Sequence, residues 1–91
     1  MTISKENKVF LEGLIEYYIS EAQSYREMAQ EYSLKIDSVP DTTFGIIIGC
    51  IYSSFLQTYS NQKLTPTVQD VQEFTEIIMI KSSAIMDAIK K

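Results

Sequence analysis

The sequence predicts an all-α fold, an elongated antiparallel bundle of three helices completed by dimerisation. Three observations lead there. Apolar residues recur at alternating spacings of four and three along the first third of the chain, no run of alternating strand pattern competes with them, and prolines fall only at Pro40 and Pro66, between the periodic segments. The expected helices cover about residues 4–34, 42–59 and 66–90 of a single domain spanning 1–91.

The first helix has the clearest pattern. Leu11, Ile15, Tyr18, Ala22, Tyr25, Ala29, Tyr32 and Ile36 form a heptad seam of the kind that faces a packed neighbour, and Leu14 and Ile19 widen it. Glu12, Glu16, Gln23, Glu27, Gln30 and Glu31 occupy the solvated side. Ser4 is placed to cap this helix, with Glu6 in the first turn where a carboxylate meets the positive end of the helix dipole. Gly13 weakens it by only about 1 kcal/mol relative to alanine. Asp37-Ser-Val-Pro-Asp41 reads as a turn, with Ser38, Asp41 or Thr42 as the next cap.

The second helix contains Ile46-Ile47-Ile48, a β-branched run, but its continuation through Cys50, Tyr52, Phe55, Leu56 and Tyr59 exceeds the length of an ordinary strand. Being apolar on most of its circumference, it is expected to be the buried heart of the core. After the turn at Ser60–Lys63, Thr65-Pro66 reads as a cap followed by proline in the first turn, with Thr67 and Asp70 as an alternative cap. The third helix carries Val68, Val71, Phe74, Ile78, Ser82, Ile85 and Ile89 on one face, with Lys90 and Lys91 at its negative end. A first helix of about 45 Å beside a second of about 27 Å leaves helical surface uncovered in any three-helix arrangement.

Composition excludes several functions. With 45% apolar and 22% charged residues the balance is that of a folded globular domain, not of a disordered one. The net charge of −4 comes with no basic stripe, which disfavours nucleic-acid binding. The most apolar stretch, Phe44–Leu56, rises only about 20 Å as a helix, short of the ~30 Å of a bilayer core. With no basic segment leading into an apolar run near Met1, the expected location is the cytoplasm, without membrane contact.

The chain has no histidine, the commonest acid–base group and metal ligand, and Cys50 is its one cysteine. A carboxylate–metal hydrolase built across a dimer would draw on Glu12/Glu16, Glu27/Glu31 or Glu73/Glu76, pairs that share a helix face but fall where the periodicity places solvent. Cys50, between Gly49 and Ile51, is expected to be an inert core residue. Tyr18, Tyr25 and Tyr32 alternate with alanines in a packing pattern, and a small-ligand pocket lined by Tyr, Ile and Met is the functional alternative. No catalytic, cofactor or metal residue is expected.

Two features point to assembly. Gly45, Gly49 and Ser53 form a ladder of small residues, expected to mark a close helix crossing with no room for a side chain at Gly49. Ile77-Ile-Met-Ile80 places apolar side chains around the whole circumference of the third helix, and Met86 continues the methionine stripe begun by Met79. One intrachain contact cannot bury all of them. The expected oligomer interface is therefore Ile77, Met79, Ile80 and Met86, in a non-enzymatic, homodimeric protein–protein interaction or adaptor module.

Overall fold

A computed structural model of the chain describes residues 2–91. It contains helices α1 (Lys5–Ser20), α2 (Ala22–Gln30), α3 (Val39–Asn61) and α4 (Val68–Lys90), with a 3-10 turn at Ser33–Lys35 between α2 and α3 and no strand among the described residues. The bundle measures 40 × 22 × 18 Å, and its radius of gyration of 13.9 Å exceeds the ~12 Å of a compact globule of this length.

The long first helix of the sequence pattern is two helices. The break lies at Glu21, with φ −102° and ψ 11°. Just before it, the Ser20 hydroxyl donates to the carbonyl of Tyr17 at 2.6 Å, and the Glu21 amide donates to the same carbonyl at 3.1 Å. The break thus carries a serine back-bond and no proline or glycine, although the same bond from Ser82 to the Met79 carbonyl leaves α4 unbroken. The seam survives the bend as far as Ala29: Leu11, Ile15, Ala22 and Ala29 are buried, with Tyr18 and Tyr25 packed beside them. It then fails. α2 ends at Gln30, and the 3-10 turn swings Tyr32 and Leu34 into solvent, Leu34 at 97% exposure.

α3 starts three residues earlier and ends two later than the hydropathy pattern indicates. Ser38 Oγ accepts from the Asp41 amide at 3.1 Å, so Pro40 lies inside the first turn, where its missing N–H is harmless. At the far end Lys63 adopts φ 59°, and the Leu64 amide donates to the Tyr59 carbonyl at 2.9 Å, closing a Schellman-type stop. α4 begins at the alternative cap. Thr67 Oγ1 accepts from the Asp70 amide and Asp70 Oδ2 from the Thr67 amide, both at 3.0 Å, a capping box that leaves Pro66 outside the helix.

The core runs down the bundle axis. α3 contributes Ile47, Ile51, Phe55 and Tyr59, one residue every fourth position, and α4 contributes Phe74, Ile78, Ile85 and Ile89. Ile3, ahead of α1, closes one end. Phe55 stacks on Phe74 at 4.9 Å between ring centroids, Tyr59 on Phe55 at 5.0 Å and Tyr52 on Phe74 at 5.1 Å. α3 is thus central in composition but covered on one side alone, because α1, α2 and α4 all meet the same stripe. Its opposite side is open.

Lys63 is the one described non-glycine residue with positive φ. Glycine adopts that conformation without the steric penalty of a Cβ. Lys63→Gly should therefore raise stability by about 1 kcal/mol, read as a higher midpoint in a urea melt.

Candidate functional site

Each end of the bundle is fixed by polar contacts, and both sets have structural work to do. At one end Glu73 of α4 reaches the segment before α1. Its Oε1 accepts from the amides of Thr2 and Ile3, each at 2.9 Å, while its Oε2 pairs with Lys8 Nζ at 3.0 Å. These two amides, followed by Lys8, hold the Glu73 carboxyl down at about 2. Beside it Asn7 and Gln62 exchange amide hydrogen bonds at 3.1 and 2.9 Å, tying α1 to the end of α3. Thr2 and then the Thr67 amide hold the buried Asp70 below the usual carboxylate range. Burial, with Asp70 adding to it, pushes the Tyr59 phenol up.

A cleft opens here, with Ser4, Asn7, Tyr59, Gln62 and Asp70 in its wall. Among the described residues every buried side-chain nitrogen or oxygen has a partner, so nothing in the wall is left waiting for a ligand. At the opposite end Gln23 Nε2 donates to the Ala88 and Ile89 carbonyls at 2.7 and 3.2 Å, and Arg26 Nη1 donates to Ile89 at 2.8 Å. These side chains of α2 partner the last carbonyls of α4 and set a cation at the negative end of its dipole.

The tyrosines pack on rings. Tyr18 lies 5.1 Å from Tyr17 and 5.4 Å from Tyr25, and its hydroxyl is shared with Tyr25 and Cys50. Burial, then Tyr25 and Cys50, pushes the Tyr18 phenol up to about 12. Cys50 itself is half-buried on the flank of α3, outside the fully buried stripe where the sequence pattern puts it. Glu12, Glu16, Glu27, Glu31 and Glu76 are exposed. Among the described residues no three His, Cys, Asp or Glu side chains converge.

The small-residue ladder is where the structure departs furthest from the sequence pattern. Gly45, Gly49 and Ser53 lie on the open side of α3. A Cβ built on Gly45 or Gly49 meets nothing within 4 Å, so no helix of the same chain crosses there and a side chain at Gly49 has room. The physical reason is the four-residue period of the α3 stripe. The buried positions 43, 47, 51, 55 and 59 take one face, and 45, 49 and 53 fall on the other.

The four α4 residues divide between two sides of the helix. Glu73 touches the segment before α1, which identifies the α1 side of α4. Ile77 and Ile80 share that side in a shallow cleft with Lys8, Glu12 and Lys81. Met79 and Met86 lie on the flank of α4 away from that cleft. Met79 is 68% exposed and Ile80 79%, while Ile77 and Met86 are half-buried.

Compared with protein families, curated proteins and solved structures, the chain matches none.

The Glu73 clamp makes stability pH-dependent. The carboxyl is ordinary in the unfolded chain and strongly acidic in the fold, so its contribution is complete above about pH 4.5. It disappears as pH falls toward about 2. Thermal melts across that range should show the loss, and Glu73→Gln should be less stable at neutral pH and flatter in the acid limb. An unchanged acid limb in the variant would assign the effect to other carboxylates.

Proposed function

We propose that the chain is a non-enzymatic, homo-oligomeric helical module, acting as a protein–protein interaction or adaptor unit in the cytoplasm. The observation that carries this is that two large apolar side chains, Met79 and Ile80 on different sides of α4, each stand more than two-thirds exposed. Ile77 and Met86 extend the apolar surface to either side. Helices of a monomer keep such residues inward, and contiguous exposed apolar surface marks a contact site. Methionine suits that role because its unbranched chain adapts to a partner's relief.

α3 is long and apolar enough to cross a membrane by length and composition, more so than Phe44–Leu56 alone. Its buried stripe joins Leu11, Ile15 and Phe74 in the bundle core, while only 22% of the apolar stretch is buried. Among the described residues every buried side-chain nitrogen or oxygen has a protein partner.

Gel filtration with light scattering on purified protein at micromolar concentration is the test. The expected mass is twice the 10.4 kDa of one chain. A particle of one chain mass that persists at higher concentration would refute self-association.

A further inference from the structure

We propose that two copies of this chain associate through the face shared by α3 and α4, with α3 of each copy against α4 of the other. This rests on the self-association proposed above and names the surface that makes it. From Thr42 to Gln62 the sequence holds no charged residue, so the open side of α3, with Gly45, Gly49 and Ser53, is neutral beyond Asp41 in its first turn. Ile48, Tyr52 and Leu56 are only half-buried where that side turns toward α4. The adjoining flank of α4 carries Val68, Val71, Thr75, Met79, Ser82 and Met86, without charge until Lys90 at the helix end. The acids of α4 lie elsewhere: Glu73 is bound to the segment before α1, and Glu76 and Asp87 project outward beside Ile80.

Neutrality decides which side of α4 makes the contact. The Ile77 and Ile80 side is rimmed by Lys8, Glu12 and Lys81, charges that would have to be desolvated. The Met79 and Met86 side carries only Lys90, at the last residue of the helix, where its ammonium can stay in water. In a chain of net charge −4, pairing the neutral faces also leaves the acids of both copies in water. Size agrees: α3 and α4 have 23 residues each, about 34 Å of helix, so a face two helices wide offers roughly 700 Å². A stable interface needs about 800 Å² per partner.

Shape selects the pairing. The glycines place a shallow trough on α3, and nothing in the same chain enters it. Met79 and Met86 stand as ridges on α4. A two-fold axis parallel to the helices sets the ridges of each copy over the trough of the other, and all neighbouring helices then run antiparallel, as in a four-helix bundle.

The test uses outward substitutions that leave the core alone. Gly49→Lys and Met79→Glu should each retain the helical circular dichroism signal and fall from two chain masses to one in light scattering. Ile80→Lys, on the charged side, should stay at two. Mixing Gly49→Lys with Met79→Glu should restore a particle of two chain masses, since lysine and glutamate then face each other across the contact. A dimeric wild type whose Gly49→Lys and Met79→Glu variants both stay dimeric would overturn the face while sparing self-association. Monomeric variants that fail to recombine would overturn the α3-to-α4 pairing. A monomeric wild type that floats with neutral phosphatidylcholine vesicles would assign the face to lipid and overturn both.

Discussion

The whole arrangement depends on how much of α3 one chain can cover. A helix presents its side chains around a full circle, and neighbours that all approach from one side bury only a stripe of it. In α3 that stripe is Thr43, Ile47, Ile51, Phe55 and Tyr59, a strict four-residue repeat, and α1, α2 and α4 share it. Phe44, Ile48 and Tyr52 pack against the edge of that core, and beyond them Gly45 and Gly49 have no neighbour within the chain. The core is well packed, with ring contacts near 5 Å and buried isoleucines on α3 and α4, yet the composition of α3 exceeds what the core uses. That surplus is the feature a functional account has to explain.

Polar contacts complement this apolar axis by fixing how the helices sit along it. Leu, Ile and Val side chains tolerate a slide of one turn, whereas a hydrogen bond does not. Asn7 with Gln62, Glu73 with Thr2 and Ile3, and Gln23 and Arg26 with the end of α4 pin three different helix pairs. All sit near the ends of the bundle, so the middle is left to packing alone. The same division explains why the acids on these helices are spent on structure or solvent and not gathered into a site.

Helix positions were legible from the sequence wherever a stripe is buried. Leu11, Ile15, Ala22 and Ala29, and likewise Phe74, Ile78, Ile85 and Ile89, keep their spacing because burial itself imposes it. Other features left no periodic trace. The bend at Glu21 has no proline or glycine to mark it, and Ser20 beside it looks from sequence like any polar helix position. The proline in Val39-Pro40 suggests a stop, but a cap two residues before it turns the same residue into a helix start. Gly45, Gly49 and Ser53 are visible as a ladder, yet a sequence alone cannot say whether the neighbour that fits it belongs to the same chain. The clamp by Glu73 was hidden for a similar reason, since its partners are backbone amides that carry no residue signature.

That clamp joins segments 70 and 71 positions apart in sequence, across the full span from the start of the chain to α4. Contacts of such long separation close loops late, after local helices and their nearest packings exist. A bond absent from the transition state does not change how fast a protein folds; it changes how long the folded form lasts. The carboxylate of Glu73 therefore acts as a latch on the finished bundle. On that order of events, loss of the Glu73 carboxylate would shorten the lifetime of the native state and leave the folding rate unchanged.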